Sequence, residues 1–155
     1  MNLYLAVKVV HVLSATILFG TGLGIAFFKW IVDRSNNVTA IRIISEKVVL
    51  ADWLFTTPAI VIQALSGAYM AAAAGFSPAR GWLLYAVLLF LLAGACWIPV
   101  VWLQMRMRDL ARASDREGTN LSPEFYRYAR IWFALGIPAF LSLVIVFWLM
   151  VAKPS

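Results

Sequence analysis

One histidine lies deep in an apolar segment near the start of the chain. His11 is the only histidine among the 155 residues. It lies about eight residues from the nearer end of that segment, on the order of 12 Å at 1.5 Å per residue. An ionisable side chain inside a membrane costs about 2.5–3.5 kcal/mol on insertion scales, so it requires a partner or a function. Two interpretations are open: a neutral imidazole hydrogen-bonded within a helix bundle, or a ligand of a metal or haem iron.

The number of histidines limits the metal chemistry. One chain cannot supply the two histidines of bis-histidine haem or the three histidines of a catalytic zinc site. Three arrangements remain: one axial histidine with an open position, a histidine with a methionine, and two histidines from two chains. Met70 is the best-placed sulfur for the second arrangement, although methionine in membrane helices more often serves packing. A nucleophile triad is excluded because His11 has no acidic partner at its own depth.

Small and polar residues share the helix face of His11. Lys8 lies three residues earlier, on an adjoining part of the same face. At 100° per residue, Ser14 and Gly22 also fall within roughly 60° of His11. This mostly small-residue surface could admit a flat cofactor beside the imidazole.

A second polar line occurs in the next apolar segment and is predicted to face the bundle interior. Its members fall within about 60° of one direction on a helix: Asp52, Thr56, Ala59, Gln63, Ser66, Gly67 and Met70. Asp52 lies at the same level as Gln104 and the arginines Arg106 and Arg130, so an ion pair there is expected. Gln63 lies near mid-membrane, where a hydrogen bond to another helix explains it. A structural role is therefore expected for Asp52, Gln63 and Gln104.

The composition indicates lipid as the solvent for most of this chain. Hydrophobic residues make up 63% and charged residues 13%, against roughly 45–50% and about 25% in soluble domains. The mean hydropathy is +0.87. The single cysteine, Cys96, cannot form an intrachain disulfide, and no Cys/His cluster indicates structural zinc or an iron–sulfur centre. The pattern predicts an all-α integral membrane four-helix bundle.

Four apolar runs are long enough to cross a bilayer, which requires about 20 residues. They cover about residues 3–32, 52–75, 82–104 and 131–151, in a single domain 1–155. The third helix is expected to continue outside the membrane to about residue 117, with Gly118 as its stop. Ser77-Pro78 and Ser122-Pro123-Glu124 are predicted helix starts. The first run is interpreted as a retained helix rather than a signal peptide, because no small-residue cleavage site follows it.

The basic residues predict the orientation in the membrane. Ten of the thirteen lie in two segments, between spans one and two and between spans three and four: Lys29, Arg34, Arg42, Lys47, Arg106, Arg108, Arg112, Arg116, Arg127 and Arg130. The positive-inside rule places both segments in the cytoplasm and both termini in the periplasm of a bacterial inner membrane. The net charge of +6 then indicates lipid headgroups as partners, and no nucleic acid.

Several runs together resemble a bacterial family of predicted integral membrane proteins of unknown function. These runs are Lys8-Val9-Val10-His11 with Gly20-Thr21-Gly22, Asp52 to Pro58 with Gln63, Cys96-Trp97-Ile98-Pro99 leading to Gln104 to Arg108, and Phe147 to Met150. The first helix is also similar to that of HemJ, a haem-dependent membrane protoporphyrinogen oxidase, and more distantly to CopD-type membrane domains. The arginine-rich signature that follows the first helix of HemJ has no counterpart here.

The resemblance to HemJ implies a haem b protein with a redox or electron-transfer role. His11 would be the axial ligand of the haem iron and Lys8 would pair with a propionate or a headgroup, with Ser14 and Met70 beside the cofactor. A non-enzymatic membrane subunit or scaffold with a partner protein is the first alternative. Transport of a small solute or proton along Asp52, Gln63 and His11 is the second. Small-residue faces predict self-association into a homo-oligomer, and the GxxxG pair Gly20 and Gly24 allows close helix approach within the bundle or between protomers.

Overall fold

The computed structural model describes residues 2–154, and the regular secondary structure of this part of the chain is entirely helical. The helices are α1 (Leu3–Val32), α2 (Val38–Ala51), α3 (Thr57–Ala73), α4 (Gly81–Glu117) and α5 (Pro123–Ala152). A widened helical turn, Asp52–Thr56, joins α2 to α3 without a loop. The rods α1, α2–α3, α4 and α5 are each long and apolar enough to span a membrane. The prediction of an all-α protein with four such helices is confirmed.

The second helix begins earlier than the predicted residue 52. It starts at Val38, where the Asn37 side chain accepts a hydrogen bond from the Ala40 amide at 3.0 Å. Helix α2 is amphipathic, with Ile41 and Val48 buried, and its charged side chains kept it outside the apolar run. The rod ends at Ala73 rather than at residue 75.

The other boundaries differ from the predictions in two places. Helix α5 begins at Pro123 instead of 131, so the Ser122-Pro123-Glu124 start is confirmed; Ser122 Oγ accepts from the Phe125 amide at 3.3 Å. The start at Ser77-Pro78 is wrong. The Arg80 amide donates to the Ser77 carbonyl oxygen and closes a turn. Helix α4 begins only at Gly81, because a right-handed helix cannot continue through its φ of 60°. The predicted stop at Gly118 is confirmed by its φ of 64°.

The best-packed part of the molecule lies at one end of the bundle. We call the end that carries the α1–α2 and α4–α5 connections the basic end, and the opposite end the terminal end. The hydrophobic core of the basic end contains Ile41, Val100, Leu103, Met107, Ala111, Leu121, Phe125, Tyr128 and Trp132. Burying these side chains from α2, α4 and α5 together stabilises this end.

Ion pairs connect α2 to α4 at the basic end. Arg42 Nε lies 2.6 Å from Asp115 Oδ2, and Arg112 Nε lies 2.7 Å from Glu46 Oε1. Arg42 also pairs with Glu46 at 3.3 Å. We call these four side chains the α2–α4 clasp. Because they form a network, they hold the two helices together better than isolated surface pairs would.

The bundle consists of two helix pairs that separate toward the terminal end. Helix α4 packs along α5, and α1 packs along α3, whereas α1 and α5 make few contacts with each other. A seam therefore runs between α1 and α5. At mid-length of α1 this seam is closed by Phe19, which stacks on Phe140 with ring centroids 5.0 Å apart and meets Phe147 edge-on at 5.4 Å.

Gly20 and Gly24 do not bring two helices of this chain together. A Cβ atom added at either glycine would meet nothing within 4 Å among the described residues. Self-association through this face remains a prediction.

Candidate functional site

Four polar side chains from α1 and α3 form one hydrogen-bonded group, which we call the His11 cluster. His11 Nδ1 lies 2.8 Å from Ser66 Oγ, and His11 Nε2 lies 3.0 Å from Gln63 Nε2. Ser14 Oγ donates to Gln63 Oε1 at 2.5 Å and also approaches the His11 carbonyl oxygen at 2.9 Å. The cluster joins α1 to α3. Without these hydrogen bonds, the polar groups would face lipid or lie unpaired between the two helices.

The donors and acceptors of the His11 cluster fit a neutral imidazole. With Gln63 Nε2 donating to His11 Nε2, the ring proton lies on Nδ1 and is donated to Ser66 Oγ. Ser66 Oγ donates in turn to the Ile62 carbonyl oxygen at 2.5 Å. Gly67 permits this packing, because a Cβ atom there would lie 3.3 Å from His11 Cε1.

Haem ligation by His11 would require a change in its hydrogen bonds. Both ring nitrogens already have partners, so an iron bond would require the loss of the bond to Gln63 or Ser66. Lys8 is exposed, and Met70 is half-buried one turn beyond Ser66. Within residues 2–154, no group of three or more His, Cys, Asp or Glu side chains is placed to hold a metal ion. Haem binding at this position remains a prediction that the arrangement does not support.

A second candidate site is a cavity of about 370 Å³ between α1, the Asp52–Thr56 turn, α4 and α5. Its walls are apolar and aromatic. The lining includes Leu18, Phe19, Gly22, Leu23, Ile25, Ala26, Ile60, Phe90, Ala93, Gly94, Val100, Phe133, Gly136, Ile137, Ala139, Phe140, Leu141 and Leu143. Five lining residues carry polar side-chain atoms: Asp52, Thr56, Trp97, Gln104 and Trp132.

Five polar side-chain atoms on cavity-lining residues are buried without a hydrogen bond of normal geometry. Six side-chain atoms in the described part of the chain have this property, and five of them belong to cavity-lining residues: Asp52 Oδ2, Thr56 Oγ1, Trp97 Nε1, Gln104 Oε1 and Trp132 Nε1. In folded proteins the large majority of buried polar side-chain atoms are paired. Their concentration around one cavity distinguishes it from the satisfied His11 cluster.

The expected ion pair of Asp52 is not formed. Arg106 and Arg130 are exposed, and Arg106 lies over the Trp102 ring at 5.9 Å. Thr56 and Gln104 lie within hydrogen-bonding reach of the Asp52 carboxyl, but neither contact has normal hydrogen-bond geometry. Asp52 is only 5% exposed and has no salt bridge within residues 2–154.

A buried ion pair lies next to the cavity on α1. Lys29 is fully buried, and its Nζ lies 2.8 and 3.0 Å from the Asp33 carboxylate oxygens. The ammonium also lies 5.1 Å from the Phe125 ring centroid and 5.8 Å from that of Trp132. The positive charge nearest to the cavity is therefore already paired with Asp33.

The cavity opens sideways along the α1–α5 seam. Gly22 and Leu23 on α1 and Gly136 and Ile137 on α5 line the cavity and are also exposed on the surface that faces lipid. A Cβ atom at Gly22 or Gly136 would meet nothing within 4 Å. The small residues keep this opening wide enough for a molecule from the bilayer.

The structure divides the polar row that the sequence predicts. Gln63 and Ser14 join His11 on the α1–α3 side, whereas Asp52 and Gln104 lie at the cavity. Trp97 and Trp132 were missed as site residues. The available signal was the depth of Trp97, because an indole N–H far from the interface needs a partner.

The fold and these two polar sites define a four-helix integral membrane protein with a cavity inside its bundle. The chain belongs to the DUF2269 family of predicted integral membrane proteins, whose model matches residues 5–154. No curated protein and no solved structure matches the chain.

Proposed function

We propose that this protein binds an amphiphilic small molecule from the bilayer in the cavity between α1, α4 and α5. The observation that carries the proposal is the set of five unpartnered polar atoms on residues that line one apolar cavity. A buried polar atom without a partner costs about 1–3 kcal/mol. A ligand with a polar head would offset this cost and would leave its apolar part among the aromatic side chains.

The dimensions of the cavity favour a single-chain ligand. On α4 the lining extends from Phe90 to Gln104, about 21 Å at 1.5 Å per residue. The volume of about 370 Å³ falls within the range of small-molecule sites, roughly 300–1,000 Å³. Such a long and narrow space suits one hydrocarbon or isoprenoid chain. Asp52 and Gln104 lie toward the basic end, so the polar head is expected there.

The setting we propose is a bacterial inner membrane with both termini in the periplasm. The support is the charge distribution, since ten of the thirteen basic residues belong to the two segments near the basic end. The polar head of the ligand would then lie in the cytoplasmic half of the bilayer.

A cavity-filling variant tests the proposal. Gly94 lies in the cavity wall, and a Cβ atom there meets nothing within 4 Å, so Gly94→Leu fills the cavity without a backbone clash. We expect the wild type to retain a bound amphiphile through purification in mild detergent, seen by native mass spectrometry as an adduct that Gly94→Leu lacks.

The neighbouring substitution is the matched control. Ala95 lies next to Gly94 on α4 but is exposed and does not line the cavity. Ala95→Leu should keep the adduct. Equal adduct occupancy in the wild type and in Gly94→Leu would contradict binding in this cavity.

A further inference from the structure

Three of the unpartnered atoms belong to polar side chains grouped at the Asp52 carboxyl. They are Asp52 Oδ2, Thr56 Oγ1 and Gln104 Oε1. The side chains of Thr56 and Gln104 adjoin the Asp52 carboxyl. The three residues are 5%, 4% and 3% exposed, so bulk water does not satisfy these atoms.

Among the described residues, the lining of the cavity has one ionisable side chain and no cation. Asp52 is the only Asp, Glu, Lys, Arg or His among the lining residues, and Lys29 is bound to Asp33. Acidic side chains within membranes pair with one another, with basic groups or with ligands for which they are the counter-ion. In this cavity no protein cation is available for that role, so a ligand cation would complete the pair.

We infer that the ligand carries a primary ammonium on a single apolar chain, with Asp52 as its counter-ion; this inference rests on the proposed function. A primary ammonium supplies the counter-charge for Asp52 and has three N–H donors for the oxygen atoms around it. The aromatic rings of Trp97 and Trp132 line the same cavity and attract cations through their faces. An oxygen atom beside the amine would accept from their indole N–H groups.

Other classes of ligand fit the polar end less well. A carboxylate or phosphate head would meet the Asp52 carboxyl as a like charge. A hard divalent metal ion needs six or more oxygen ligands, as in Ca²⁺ and Mg²⁺ sites, and three protein acceptors do not supply them. The amine therefore matches the charge of the Asp52 carboxylate.

A matched pair of probes tests the inference. Dodecylamine and 1-dodecanol have the same chain, but only the amine is cationic at neutral pH. Purified protein is titrated with each probe, and the dissociation constant is obtained from the ligand-dependent rise in melting temperature. We expect Asp52→Asn to weaken dodecylamine binding by about tenfold or more and to leave dodecanol binding unchanged.

A second variant keeps the test decisive if Asp52→Asn does not fold. Thr56→Val removes one acceptor with little change of shape, and it should weaken dodecylamine binding by a smaller factor without affecting dodecanol. The ammonium inference is overturned if dodecylamine binds to the wild type no more tightly than dodecanol does, and if neither variant weakens dodecylamine binding. The cavity would then be a site for neutral amphiphiles. If neither probe stabilises the wild type more than Gly94→Leu, the proposed function fails as well.

Discussion

Individual polar residues in this bundle fall into two groups that differ in whether their hydrogen bonds are complete. The imidazole of His11 has a partner at each nitrogen, as expected of a side chain that holds two helices together. Asp52 Oδ2 and Gln104 Oε1 belong to more deeply buried side chains and have no hydrogen bond of normal geometry. Because an unsatisfied buried atom is destabilising, these positions need an explanation other than the stability of the bundle.

The His11 cluster is expected to couple α1 to α3 energetically. We predict that a double-mutant cycle of His11→Ala and Gln63→Ala gives a coupling of about 0.6–1.7 kcal/mol, the range found for interhelical hydrogen bonds in membranes. The measurement is reversible unfolding in mixed micelles. Thr16→Ala is the control, because Thr16 Oγ1 donates only to the Val12 carbonyl of its own helix. Additive effects of the two substitutions would contradict the coupling.

The same preparations test the haem hypothesis at residue scale. Axial ligation by His11 requires a Soret band in the wild type that disappears in His11→Ala. The hydrogen bonds of both ring nitrogens lead us to expect no His11-dependent Soret band after expression with ample haem. A band that His11→Ala removes would show that the cluster rearranges to free a nitrogen.

Among the elements, the widened turn between α2 and α3 has the clearest local cause. Pro58 has no amide hydrogen, so the carbonyl of Leu54 loses its usual helical partner. The Thr57 amide and hydroxyl both donate to the Asp52 carbonyl oxygen, the hydroxyl at 2.9 Å. Such a turn amounts to one additional residue in an α-helix, and here it places Asp52 and Thr56 on the buried side together.

Two single-residue deletions test this description of the turn. Leu54 lies within the turn and is 59% exposed. Its deletion should restore a regular α-helix and keep α2 and α3 packed on their present neighbours. Deletion of Ile62, which is 39% exposed and lies in regular helix, rotates the following residues by about 100°. Gln63 and Ser66 then leave His11.

The measurement for the two deletions is the melting temperature together with the size-exclusion profile. We expect the Leu54 deletion to stay monodisperse with a small loss of stability, and the Ile62 deletion to aggregate or to melt far lower. Equal behaviour of the two variants would show that the Asp52–Thr56 turn is not a one-residue insertion.

The sequence predicted the apolar elements well and the cavity poorly, for physical reasons. Hydropathy identified every spanning helix, and Gly118 and Ser122 marked two of the ends correctly. It could not identify α2, because the charges of Arg42 and Glu46 hide a helix that packs through Ile41. The polar line on the second helix follows from periodicity within one helix. Trp97 and Trp132 lie at the same cavity as Asp52 because of how three separate helices pack. No local sequence pattern encodes this packing.

At the scale of the whole molecule, the bundle is closed at the basic end and loosely held elsewhere. The α2–α4 clasp and the hydrophobic core bind α2, α4 and α5 there. Along the seam, α1 and α5 meet at two places: Lys29 with Phe125 and Trp132 at the basic end, and Phe19 with Phe140 and Phe147 at mid-length. The cavity thus lies between a firm base and a narrow aromatic closure.

The orientation of the bundle can be measured by cysteine labelling of intact cells. In a Cys96→Ser background, Ser77→Cys places a thiol at the terminal end and Thr119→Cys places one at the basic end; both positions are exposed. Positive-inside orientation predicts that a membrane-impermeant maleimide labels Ser77→Cys and not Thr119→Cys, with both labelled after lysis. The reverse pattern in intact cells would place the termini in the cytoplasm.

The sideways opening at Gly22 and Gly136 has a consequence for how occupancy is counted. A site entered from the bilayer equilibrates with the mole fraction of ligand in the lipid, and not with its concentration in water. A sparingly soluble amphiphile that partitions strongly into membranes can therefore fill the cavity while its aqueous concentration stays very low. Added detergent or lipid dilutes the ligand in that phase and empties the site. A dissociation constant for this protein has meaning only when the amount of lipid or detergent is stated with it.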